Sequence, residues 1–109
     1  LVSPSASATA TAPGASVTID LVAQGFAFDK KTITVPAGAN VLIHFNNKDS
    51  APHNFALYQD STGAKSIFVG TVVTSSATDY KFTAPATPGT YFFRCDLHPS
   101  VMTGSFIVQ

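Results

Sequence analysis

From Val17 to Gln109 the chain never sustains a helical repeat; its apolar side chains come in short runs closed by Pro and Gly. Val17, Ile19 and Leu21 are separated by Thr18 and Asp20, the period of a half-buried strand. Phe26 and Phe28 follow, then a strand over residues 32–35. Pro36 and Gly38 enforce a turn. In the next strand, residues 41–47, Val41, Ile43 and Phe45 share one face. Residues 48–52 read as a loop that delivers His53. Later strands are expected around Phe55 to Tyr58, at 67–69 and 78–82, at 90–95 after a Pro/Gly turn from Pro85 to Gly89, and at 104–109. Any helix is limited to one short turn within residues 71–77. About eight short strands with punctuating turns predict an all-β Greek-key sandwich or barrel.

A chain of 109 residues supports one domain, and nine phenylalanines help to supply its core. Residues 1–16 are mostly Ser, Ala, Thr, Pro and Gly. Such a segment buries too little surface to offset its ordering entropy, so it reads as a flexible linker ahead of a domain spanning 17–109. It lacks the features of a signal peptide and is expected to be the tail left after a signal or anchor, or a tether to another domain. That places the protein outside the cytoplasm, in the periplasm or at the cell surface. Charge is sparse and balanced, with five Lys and one Arg against six Asp. This excludes a nucleic-acid footprint, which needs a basic face, and no apolar run approaches the ~20 residues of a membrane span. A neutral monomer of this kind meets its partners through local apolar contact.

The single cysteine excludes an internal disulfide, and metal ligation best accounts for a lone thiol outside the cytoplasm. Cys95 lies seven positions before Met102, the only methionine, with His98 between them. In a strand over 90–95, Tyr91, Phe93 and Cys95 share one face, and the sulfur sits where strand becomes loop. Pro99 stiffens that loop, and Met102 returns just before the closing strand. His53 joins from a different strand pair, so a bound metal would cross-link the sandwich. One thiolate, two imidazoles and one thioether form a soft donor set that suits copper moving between Cu(I) and Cu(II). The set points to electron transfer rather than to bond-making.

Here the chain resembles the cupredoxins, the small blue copper proteins that include the plastocyanins, amicyanins, pseudoazurins and azurins. The resemblance covers residues 17–109. It rests on Val35-Pro36-Ala37-Gly38, on Asn46-Asn47 followed by Pro52-His53-Asn54, on Gly89 to Cys95, and on the Cys-x2-His-x3-Met loop. It implies one copper per chain, held by His53, Cys95 and His98 as strong equatorial ligands with Met102 as the weak axial one. It also implies that Asn54 ties the loops together, with its backbone N–H close to the cysteine sulfur. Plastocyanin-like loops have one more residue between His and Met, amicyanin-like loops one fewer, and azurin-like loops a longer gap from Cys to His. The acidic patch of plant plastocyanins is missing.

The expected function is one-electron transfer between redox proteins that dock transiently at the rim of His98, on a patch framed by Ala51, Pro52, Leu97, Pro99 and Val101. Copper storage or delivery is the alternative, as is the electron-entry domain of a larger copper enzyme. An enzyme built from this chain alone is not expected. A cysteine hydrolase leaves Met102 without a role, and three histidines cannot build a second copper centre. A structural zinc site favours more thiolates, and an immunoglobulin-like domain wants a cysteine pair and a core tryptophan. A backbone carbonyl near Pro52 is the other axial donor the sequence offers. His44 alternates away from the apolar face and reads as a surface residue. Arg94 and Lys48 read as solvated charges, and Asp96 as a surface loop residue beside the site.

Overall fold

A computed structural model describes residues 15–109. The strands are β1 (Ser16–Ala23), β2 (Thr32–Val35), β3 (Asn40–Asn47), β4 (Pro52–His53), β5 (Ala56–Tyr58), β6 (Ser66–Val69), β7 (Val73–Thr74), β8 (Ala77–Thr83), β9 (Gly89–Arg94) and β10 (Thr103–Val108). One sheet has the order β1-β3-β8, a second has β2-β10-β9-β5-β6, and β4 pairs with β7 in a separate ribbon. The β1–β3 and β2–β10 pairs are parallel, so each sheet joins chain segments distant in sequence. The all-β sandwich expected from the alternating runs is what the chain forms.

The sandwich closes on the residues that period two places inward. Val41, Ile43 and Phe45 of β3 are buried, and β1 and β8 set Ile19 and Tyr80 either side of Ile43. From the other sheet, Ile33, Val35, Phe93, Phe106 and Val108 join the same apolar cluster. Burying one such side chain stabilises the fold by roughly 1.5–3 kcal/mol. Aromatic rings bridge the layers: Phe82 meets Phe106 at 5.9 Å, and Phe28 meets Phe45 at 6.3 Å and Phe93 at 5.4 Å.

Two expectations about local structure need correction. Residues 48–51 form the expected loop ahead of His53, but Pro52 is not part of it: Pro52 and His53 form a two-residue strand with His53 opposite Val73. Residues 71–77, where at most one short helical turn was expected, hold none: Val73–Thr74 supplies the partner strand and Ser75 turns the chain with φ 50°. These two strands raise the number to ten. Each is too short for alternation to register. The sheet also begins earlier than expected: Ser16 opens β1, and the Asn40 N–H donates to the Ala15 carbonyl at 2.7 Å. The remainder of the expected linker, residues 1–14, lies outside the described residues.

Candidate metal centre

β9 delivers the sulfur. Phe93 and Cys95 are fully buried two residues apart, and β9 ends at Arg94, so the sulfur sits at the first position beyond the strand. The next seven residues fold back tightly. The His98 N–H donates to the Cys95 carbonyl at 3.1 Å and the Met102 N–H to the His98 carbonyl at 3.1 Å. The Cys95 N–H donates to the Met102 carbonyl at 3.0 Å, closing the loop where β10 begins. Backbone hydrogen bonds alone therefore hold Cys95, His98 and Met102 in one short loop. Met102 is fully buried.

The β4–β7 ribbon brings in His53, which is fully buried, with its Nδ1 3.8 Å from Cys95 Sγ. One donor atom each from His53, Cys95 and His98 lies within 4.8 Å of the others. The two imidazole centroids are 4.9 Å apart. His98 Nε2 is buried and has no hydrogen-bond partner among the described residues. A buried polar atom without a partner is costly unless something else satisfies it. Two imidazoles, one with an unpartnered nitrogen, beside a buried thiol are the donor chemistry of a soft metal site.

Asn54 ties the two halves of this site, as the sequence implied. Its Oδ1 accepts the Asp96 N–H at 2.8 Å, and its Nδ2 donates to the Gly70 carbonyl at 3.0 Å and weakly to Asp96 Oδ2 at 3.4 Å. The residue after His53 thus grips the residue after Cys95. Asn47, also buried, donates to the carbonyls of Ala51 and Val73 at 2.8 and 2.9 Å and so fixes both strands of the ribbon.

Five residues around the site, Arg94, Asp96, Tyr58, Asp49 and Phe26, escaped the sequence reading or were placed in the wrong surroundings. Arg94 and Asp96 are not freely solvated: Arg94 Nε donates to Asp96 Oδ1 at 3.1 Å, and its guanidinium lies 4.5 Å from the Tyr58 ring centroid. The Tyr58 hydroxyl donates to the same carboxylate at 2.5 Å. Burial pushes the Asp96 carboxyl up, but donations from Tyr58, Arg94 and Asn54 outweigh it and hold the group below its ordinary value. Asp49 Oδ2 lies 2.9 Å from His53 Nε2, and its carboxylate accepts the N–H groups of Gly25 and Phe26 at 2.8 and 3.0 Å. The Phe26 N–H, His53 and the Gly25 N–H hold the Asp49 carboxyl down at about 2. Phe26 stands edge-on to both imidazoles, 5.3 Å from His53 and 4.8 Å from His98. The available signals were faint: an acid four positions before His53, and a glycine before an aromatic. His44 lies away from the site, on the outer side of β3, with Nδ1 2.6 Å from Asp79 Oδ1.

Known proteins share this fold. Sodium-dithionite-reduced auracyanin from the photosynthetic bacterium Roseiflexus castenholzii superposes with a TM-score of 0.76 at 26% identity, covering 88% of this chain and 99% of that one. Auracyanin A, a blue copper protein of the green thermophilic photosynthetic bacterium Chloroflexus aurantiacus, gives 0.75 at 27% identity, covering 86% and 99%. Amicyanin from Paracoccus versutus shares the fold at 0.62 and 23% identity, covering 84% and 81%. No curated protein matches the chain. The family model for the cupredoxin-like domain matches residues 1–108 and so spans the sandwich and every residue of the site; the chain belongs to the cupredoxin-like family.

Proposed function

We propose that the protein is a type 1 blue copper protein that carries single electrons between redox partners, with copper held by His53, Cys95, His98 and Met102. The observation that carries this reading is a fully buried cysteine sulfur with two imidazoles converging on it, on a loop closed by a buried methionine. When bound, copper supplies a one-electron couple whose potential the axial ligand and the surroundings of the sulfur set. The chain's own contribution is rigidity. Cys95 is fixed by its N–H donation to Met102, His53 by the ribbon and Asp49, and the two segments by Asn54. Buried ligands held by a sandwich move little when their charge changes, so each transfer needs little rearrangement.

Electrons would leave at the rim of His98. Leu97 and Val101 flank it and are 42% and 56% exposed, and Phe26, which touches its ring, is 46% exposed. Exposed apolar side chains around a ligand edge suit a small, transient docking surface. A chain of zero formal net charge adds little long-range steering to that contact. We place the protein outside the cytoplasm, acting as a monomer. Among the described residues no helix is long and apolar enough to cross a membrane. Bond-making at a second copper centre is disfavoured, because His44 is the one histidine left and it is turned outward with Asp79.

Replacing Leu97 or Val101 with Asp tests the docking surface. The rate of electron exchange between copper-loaded molecules should fall while the visible spectrum stays the same. An unchanged rate would remove the patch from the mechanism. Repeated reduction and reoxidation without copper release separates an electron carrier from a copper-delivery protein.

A further inference from the structure

Phe26 stands half out of the surface on a strained backbone. Its backbone lies at φ 57°, a conformation that crowds any residue with a Cβ, and its side chain is 46% exposed. Strained residues of this sort persist where the surroundings hold them for a purpose. The ring's recorded partners are the two imidazoles, edge-on at interplanar angles of 83° and 86°. Together the three rings form a closed triangle whose third side is the 4.9 Å separation of His53 and His98.

The segment that carries Phe26 is latched to the same site. One Asp49 oxygen accepts the Gly25 N–H, and the other lies within hydrogen-bond reach of both the Phe26 N–H and His53 Nε2. Asp49 is itself immobilised: its N–H donates to Asn47 Oδ1 at 2.8 Å, and its carbonyl accepts from Ser75 Oγ at 2.9 Å. A continuous set of hydrogen bonds therefore runs from buried Asn47 through Asp49 to both the Phe26 backbone and an imidazole. Resting on the reading of His53 and His98 as ligands, we propose that Phe26 is an aromatic lid, latched by Asp49, that fixes both imidazole planes and closes the site to small exogenous ligands. Phe26 and Asp49 are positioning residues. They hold the rings and keep solvent from His98 Nε2, which is buried although Leu97 and Val101 beside it are exposed.

The test compares the copper-loaded chain with its Phe26→Gly and Asp49→Asn variants during titration with imidazole, followed by visible absorption and copper hyperfine splitting. Glycine adopts φ near +57° without crowding, and this relief offsets part of the lost ring contact, so the Phe26→Gly chain should still fold. Imidazole should perturb the Phe26→Gly spectrum at a concentration about tenfold or more below that needed for the parent, the order expected from losing ring-on-ring contacts. Asp49→Asn should move in the same direction by less. Phe26→Leu, which keeps apolar bulk without the ring, should fall between and serves if the glycine variant fails to fold. Equal sensitivity in parent and lid variants would overturn the lid, and a parent-like Asp49→Asn would overturn the latch. A parent chain with no intense thiolate band on copper binding would instead overturn the ligand assignment.

Discussion

Asn54→Ala should be one of the most damaging single substitutions outside the ligands. Asn54 is 1% exposed and makes two good hydrogen bonds, to the Asp96 N–H at 2.8 Å and the Gly70 carbonyl at 3.0 Å. Truncation leaves both backbone groups without those bonds at a buried position. An orphaned buried partner costs about 1–3 kcal/mol, so two give roughly 2–6 kcal/mol. That is a large share of the ~5–15 kcal/mol that stabilises a typical domain. Denaturant unfolding of the metal-free chain measures this loss without the contribution of bound copper. Asn54→Asp sharpens the argument. Its carboxylate can still accept the Asp96 N–H, but it loses the donation to Gly70 and faces the Asp96 carboxylate. The burial and the like charge raise the folded pKa of the introduced acid above its unfolded value, so its penalty is full at neutral pH and fades as pH falls through that folded value. A loss below about 0.5 kcal/mol for Asn54→Ala, within the range of ordinary surface changes, would refute the claim that this side chain joins the two halves of the site.

Other substitutions probe separate parts of the account. A Cβ at Gly104 would lie 2.3 Å from Phe93 Cζ and 2.8 Å from the Lys31 carbonyl oxygen. Gly104→Ala should therefore cost about 1–3 kcal/mol, seen as a lower unfolding midpoint; an unchanged midpoint would show that Phe93 has room to move. Met102→Leu nearly conserves volume and should cost under about 1.5 kcal/mol. It should also raise the reduction potential, because Cu(II) loses a donor, and voltammetry showing no shift would remove Met102 from the ligand set. Asp79 raises the pKa of His44 above 6.5. The stabilisation from this exposed pair is full below the unfolded pKa and is lost as pH rises through the folded one. Proton resonances of His44 should titrate above 6.5, and Asp79→Asn should bring the midpoint back.

The parts legible in the sequence share a physical reason: their signal is local. Val41, Ile43 and Phe45 announce β3 because the side-chain period is two, and all three are buried. The loop from Cys95 to Met102 is legible because three donors of different softness fall within eight consecutive residues. What the sequence hides is made by long-range closure. β4 and β7 exist only because Pro52 and His53 lie opposite Thr74 and Val73, twenty or more positions away. Asp49 reads as one more loop acid until the fold sets the Gly25 and Phe26 N–H groups against it, 24 and 23 residues distant. Phe26 reads as core by type, yet stands half out of the surface against two imidazoles. Arg94 looks solvated until β5 brings the Tyr58 ring beneath it.

The most direct test of the central claim is a titration of the metal-free chain with Cu(II), followed by visible absorption and electron paramagnetic resonance, beside the Cys95→Ser variant. The account predicts an intense blue band with narrow copper hyperfine splitting that saturates at one copper per chain, is bleached by a mild reductant, and is lost in Cys95→Ser. A weak band with ordinary hyperfine splitting, or a blue band that survives the loss of the sulfur, would contradict it.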